Sequence, residues 1–167
     1  MHNRLVADVF VPAGGRPSTI DIQNYKNFLL PDGTGTPSSK LIIEGANLFI
    51  TNDARKALYE EAGVHIVKDS SANKTGVITS SYEICSAMLL TDEEFFENKN
   101  KIVDQILGKL RGLARMEAEL LFREYDREAG KHVPNISART FSLSFTHIVF
   151  VIHRCSTEHQ PKSEQYN

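Results

Sequence analysis

Apolar residues recur along this chain in two rhythms. Short runs at 6–11 (VADVFV), 41–43 (LII) and 64–67 (VHIV) alternate with stretches where apolar positions return every three or four residues. Short runs bounded by turn residues read as buried strands, and the longer period reads as helix. The first run ends in Pro12-Ala13-Gly14-Gly15, where glycines permit a tight turn or the close approach of a ligand. Ile20, Tyr25, Phe28 and Leu29 predict a short helix within 19–30, and 31–39 (PDGTGTPSS) is a loop by composition.

The second run leads into Glu44-Gly45-Ala46-Asn47 and then a helix. Thr51 or Asn52 caps it, Ala54 and Leu58 face inward, and Gly63 stands just past its end. The third run leads to Asp69-Ser70-Ser71-Ala72-Asn73 and a helix over about 75–90, with Val77, Ser81, Ile84 and Met88 as its expected inner face beside Ala87. A T-x-x-E capping box at Thr91 and Glu94 opens the longest helix, which reaches about Tyr125. Its expected stripe is Phe96, Val103, Ile106, Leu110, Leu113, Leu121 and Tyr125. Lys101, Asp104, Lys109, Arg111, Arg115 and Glu119 form a solvated face.

Strands alternating with helices imply an α/β layer with mainly parallel strands, ending in a long helix. In such sheets ligands bind at the loops that follow strand carboxyl ends. The three loops with unusual chemistry, 12–15, 44–47 and 69–76, all follow strands. After about 131 the pattern changes to a Ser/Thr-rich, β-branched tail, whose last dozen residues are expected to be disordered.

Composition narrows the function classes. A net charge of −2 with Lys and Arg scattered among acids argues against a nucleic-acid or membrane surface. The longest apolar run, 141–152, falls short of a membrane helix, and the N-terminus has no signal-peptide core. Cys85 and Cys155 lie far apart without a C-x-x-C, which favours reduced thiols over a disulfide or a metal site.

Three segments carry a resemblance: ADVFVPAGGRPSTI (7–20), KLIIEGANLFITNDAR (40–55) and KDSSANKTGVITSSYEI (68–84). The E-G-A-N turn after a strand and the D-x-x-A-N-x-x-G-V stretch opening a helix are the specific elements. Together they resemble the large NAD-dependent branch of the glutamate dehydrogenase family, within the Glu/Leu/Phe/Val dehydrogenase superfamily. The resemblance covers roughly 4–130 and implies the C-terminal part of a dinucleotide-binding domain, a partial Rossmann-type sheet with flanking helices. The implied activity is oxidation of L-glutamate by NAD and water to 2-oxoglutarate, ammonia and NADH.

By that resemblance Asn47 lies against the ribose next to the nicotinamide and Asn73 near its carboxamide. An Asn amide both donates and accepts, which suits these groups, although either Asn could instead hold its own loop as an Asx-turn. Ala13 and Gly14 are expected where backbone approaches the cofactor, or as a plain tight turn. Val77 and Ser80 correspond to substrate-pocket positions. A hydroxyl at Ser80 suits the side-chain carboxylate of glutamate, where relatives acting on apolar amino acids carry an apolar residue. Thr79 or Ser81 takes that role if the register slips.

The chain also departs from the family. Lys74 stands where many members have a small residue. No segment matches a catalytic lysine or an aspartate proton shuttle, so no catalytic residue is assigned, and the G-x-G-x-x-G turn is absent. Gly33-Thr34-Gly35 follows no strand and is a poor phosphate site. The chain is therefore expected to be a truncated part of such an enzyme, inactive alone and poorly soluble. The parent is expected to be a homo-oligomer, cytoplasmic or mitochondrial. Two other readings stand beside this one: a non-catalytic paralogue binding partner subunits through its long helix, or another amino-acid dehydrogenase of the superfamily.

Overall fold

A computed structural model describes residues 5–127; the tail expected beyond 130, the apolar run at 141–152 and Cys155 lie outside the described residues. Strands β1 (Val9–Phe10), β2 (Leu41–Ile43) and β3 (His65–Val67) lie side by side in chain order. Both pairings are parallel, with Val9 beside Leu41 and Leu41 beside His65. This is the α/β arrangement the alternating rhythms imply, a small parallel sheet with helices on its faces.

Side chains alternate across a strand, so the sheet feeds two cores. Phe10, Ile42 and Ile66 pack on one face with Phe28, Phe49, Ile50, Leu58 and Val64. Leu41, Ile43 and Val67 pack on the other with Ala72, Leu121 and Tyr125. Ile42 and Leu58 are fully buried, each contributing about 2 kcal/mol of transfer free energy.

Helix α1 (Asn52–Ala62) covers the first face. The Thr51 hydroxyl accepts from the Ala54 amide, and Gly63 ends the helix at φ +65°, donating back to the Leu58 and Tyr59 carbonyls. That left-handed conformation carries little cost for glycine. A short helix α2 (Asp69–Ala72) leads into α3 (Thr75–Leu89) and then α4 (Asp92–Arg127). The capping box at the start of α4 is reciprocal: Thr91 N–H donates to Glu94 Oε2 at 2.9 Å, and Glu94 N–H to Thr91 Oγ1 at 3.3 Å. The last turns of α4 sit on β3, where the Tyr125 hydroxyl meets His65 Nδ1 at 3.0 Å.

Four expectations need correction. The helix expected within 19–30 is a single 3-10 turn, Tyr25–Phe28. Ile20 is held extended, donating to Phe49 and accepting from Thr51. The Asp21 carboxylate takes the amides of Gln23 and Asn24, and such side-chain bonds compete with a helix. The first strand is also shorter than 6–11. Val77, Ile84 and Met88 do not form the inner face of α3; all three are exposed, and the packed side runs through Ile78, Tyr82 and Cys85. This helix is apolar nearly all round, so periodicity gives no unique face. On α4, Phe96 and Val103 are exposed, whereas Phe95 and Ile102 are partly buried in line with Ile106, Leu110 and Leu113. The solvated charges fall where expected, and Lys109 lies over the Tyr82 ring, 5.5 Å from its centroid. Among the described residues no helix is long and apolar enough to cross a membrane.

Candidate functional site

The turns after β1, β2 and β3 meet at one end of the sheet. The Ala46 amide donates to the Pro12 carbonyl at 2.7 Å, joining the first turn to the second. A Cβ on Gly45 would come within 3.2 Å of the Pro12 carbonyl oxygen and 3.5 Å of Ala13 Cα, so glycine lets these two loops approach without displacement. The third turn joins through Asn73, whose Nδ2 donates to the Gly45 carbonyl at 3.3 Å and to Asn47 Oδ1. The loops expected to converge from three separate strands are therefore in direct contact.

The two amides are oriented by this pairing. Both protons of Asn73 Nδ2 are committed within the turn. Asn73 Oδ1 and Asn47 Nδ2 have no hydrogen-bond partner among the described residues, and Asn47 is exposed. One acceptor and one donor group left at the rim of a strand-end crevice match the donor and acceptor of a primary carboxamide or the hydroxyls of a ribose. These residues thus fit a nicotinamide ribose in chemistry.

Other predicted residues are placed less tightly. Ala13 and Gly14 are exposed, and a Cβ on Gly14 would meet nothing within 4 Å. The steric need for glycine falls on Gly15 instead, at φ +124° with Phe49 only 2.9 Å from its would-be Cβ. Val77 and Ser80 lie three positions apart on the exposed side of α3 and share one helix face, whereas Asn73 precedes the helix as the cap of α2. No hydrogen bond joins either of them to Asn47 or Asn73, so the two pairs are separate in the hydrogen-bond network of the described residues. Thr79 and Ser81 donate their hydroxyls to the Thr75 and Val77 carbonyls one turn back, which leaves Ser80 as the outward hydroxyl. Gly33 and Gly35 stand in a hairpin tip away from any strand end, where the Asp32 carboxylate accepts from Thr34. Those bonds hold the Asp32 carboxyl below its usual range.

Three buried polar residues behind the turns are not apparent from sequence pattern. Glu44 is fully buried at the end of β2 and accepts from Arg55 Nε at 2.9 Å, from Arg55 Nη2 at 3.2 Å and from the Ile50 amide at 3.0 Å. Arg55 is 2% exposed and also donates to Asn52 Oδ1 at 2.7 Å. Its place beside Ala54 and one turn before Leu58 was the available signal that it faces inward. Asp69 is 6% exposed and accepts from the Leu48 amide at 2.8 Å. Lys74, at the mouth of α3, pairs with Glu117 of α4.

A cavity of about 600 Å³ lies between the sheet, α3 and α4, lined by Ile43, Val67, Ala72, Ile78, Leu113 and Leu121. Ala13, Gly14, Asn47, Asn73, Val77 and Ser80 do not line it, whereas Ser71, Lys74, Thr75 and Ser81 do, so it adjoins the third turn from behind. Among the described residues no group of His, Cys, Asp or Glu is arranged to hold a metal ion.

Comparison with known proteins identifies relatives of the chain. The chain is 48% identical over 97 residues to a probable NAD-specific glutamate dehydrogenase of Schizosaccharomyces pombe, covering 58% of this chain and 8% of that protein. It is 40% identical over 134 residues to the NAD-specific glutamate dehydrogenase of Neurospora crassa, covering 73% and 12%. It is 37% identical over 153 residues to the NAD-specific enzyme of Saccharomyces cerevisiae, covering 83% and 13%. The chain therefore spans about a tenth of the length of these curated relatives. The family model for glutamate/leucine/phenylalanine/valine dehydrogenases matches residues 2–126, three strand-end turns included, and the chain belongs to that family.

Proposed function

We propose that residues 4–130 form the C-terminal part of a dinucleotide-binding domain and supply the nicotinamide-facing wall of an NAD-dependent glutamate dehydrogenase. The observation that carries this reading is the Asn47–Asn73 pair, which ties two strand-end turns together and leaves one donor and one acceptor facing out. NAD supplies the hydride-accepting ring, and the protein supplies position and field. Asn47 holds the ribose and Asn73 the carboxamide, while Ala13 and Gly14 let the backbone come close. Val77 and Ser80 contact the substrate, with the Ser80 hydroxyl donating to the distal carboxylate of glutamate. A hydroxyl at that place discriminates against leucine, valine and phenylalanine, whose side chains would leave it unpaired.

The family's catalytic lysine and aspartate match no segment of this sequence, so hydride transfer needs groups that these residues do not supply. Purified chain, assayed for NADH formation from glutamate and NAD, is expected to stay at background. The binding half of the reading is tested by titrating NADH into 15N-labelled chain. Shifts should concentrate at Asn47, Asn73, Ala13, Gly14 and Gly45. Shifts confined to the α3–α4 cavity, or none at millimolar NADH, would overturn the assignment.

A further inference from the structure

We propose that Asp69 is a positioning residue that sets the orientation of Asn47 by clamping the backbone of Leu48. The inference rests on the nicotinamide reading only for its functional meaning; its geometry stands apart from it. Leu48 follows Asn47 directly and has φ +54°, the left-handed region. A residue with a Cβ is disfavoured there by about tenfold or more. Its side chain is 60% exposed, so packing does little to hold that conformation.

Backbone hydrogen bonds hold it instead. The Leu48 amide donates to Asp69 Oδ2 at 2.8 Å, and the Leu48 carbonyl accepts from Ser18 at 2.7 Å. The other Asp69 oxygen accepts from the Ser70 amide at 2.8 Å, which fixes the carboxylate at the start of α2. Asp69 is buried, so the carboxylate side of these part-buried bonds is shielded from water. The same short helix ends at Asn73, the partner of Asn47. One carboxylate thus fixes both members of the pair relative to each other. When it is removed, Leu48 relaxes to negative φ and turns the Asn47 side chain away from Asn73.

The test compares Asp69→Ala, Leu48→Gly and the double variant with the unaltered 167-residue chain by NMR, with circular dichroism as the folding control. Without ligand, Asp69→Ala should lower exchange protection of the Leu48 amide at least tenfold. It should also move the side-chain amide signals of Asn47 and Asn73 towards exposed positions. Adding Leu48→Gly should restore those signals, because glycine takes the left-handed conformation without penalty. A role limited to capping α2 would not be rescued by a glycine at 48. If Asp69→Ala fails to fold, Asp69→Asn serves in its place, since one amide oxygen cannot satisfy both backbone donors. Unchanged Asn47 and Asn73 signals in a folded Asp69 variant, or no rescue by glycine, would overturn the proposal. A second titration with NADH separates the two readings. If the ligand-free signals respond and are rescued while NADH shifts nothing, Asp69 still orients the pair and the nucleotide assignment fails.

Discussion

Replacing Arg55 by methionine removes the positive half of an ion pair whose partner stays sealed in the core. Glu44 would keep only the Ile50 amide of its three donors, with no route to water at zero exposure. Breaking a buried pair by deleting one partner typically costs about 3–5 kcal/mol, mostly the penalty of leaving a bare charge behind. With a urea slope of about 2 kcal/mol per molar, the unfolding midpoint should fall by roughly 2 M. Glu44→Leu alone should cost about as much, because it strands the guanidinium against Asn52 alone. The double variant, Glu44→Leu with Arg55→Met, should recover more than half of either loss, since two apolar side chains need no partner. Urea unfolding followed by circular dichroism measures all four proteins. A loss below about 1 kcal/mol for Arg55→Met, or a double variant as unstable as the sum of the singles, would mean that the pair is not sealed as described.

Three further outcomes follow from particular contacts. Gly45→Ala places a methyl 3.2 Å from the Pro12 carbonyl and should push the first turn outward. We expect about 1–2 kcal/mol of destabilisation by urea titration, with weaker NADH shifts at Ala13 than at Asn73. The Tyr25 hydroxyl donates to both oxygens of Glu61 at 2.8 Å, which raises its pKa above the ordinary value of 10.0, and burial raises that of Tyr125. A raised folded-state pKa means that the contribution is complete below about pH 10 and lost as pH climbs through the folded value. Urea midpoints should hold steady from pH 8 to about 10 and decline above it, less steeply in Tyr25→Phe. Thr91→Ala breaks the capping box and should cost about 1 kcal/mol, visible as faster amide exchange confined to the first turn of α4.

What the sequence made legible was local. The Thr51 cap, the Gly63 stop, the Thr91–Glu94 box and the LII strand each depend on residues within a few positions, and the structure has them where the pattern places them. The convergence of three turns was legible too, because parallel strands with helical crossovers bring their carboxyl ends to one side. The face of α3 was not, since Ile78, Tyr82 and Cys85 compete with Val77, Ile84 and Met88, and only the position of α4 decides between them. The stripe on α4 was read one residue out at Phe96 and Val103 for a related reason. Phe95 and Phe96 are equally apolar, as are Ile102 and Val103, so pattern alone leaves the register free by one. Glu44 and Asp69 belong to the motifs and Arg55 to the matched segments, but the pattern did not show that all three are buried. Their partners are 11 and 21 residues away or on backbone amides, and no periodicity encodes those pairings.

Helix α4 has 36 residues, a length of about 54 Å at 1.5 Å per residue. Only its final turns, around Leu121 and Tyr125, rest on the sheet; the remainder packs along α3. That geometry is a cantilever with its anchor at His65. From Leu121 back to Asp92 the arm is about 44 Å, so each degree of tilt at the anchor sweeps the free end by roughly 0.8 Å. Helix α3 starts at Thr75, directly after Asn73 of the asparagine pair, and Ser80 lies only about 8 Å along it, so a tilt of a few degrees moves Ser80 by roughly 0.4 Å while the far end of the helix pair sweeps several times as much.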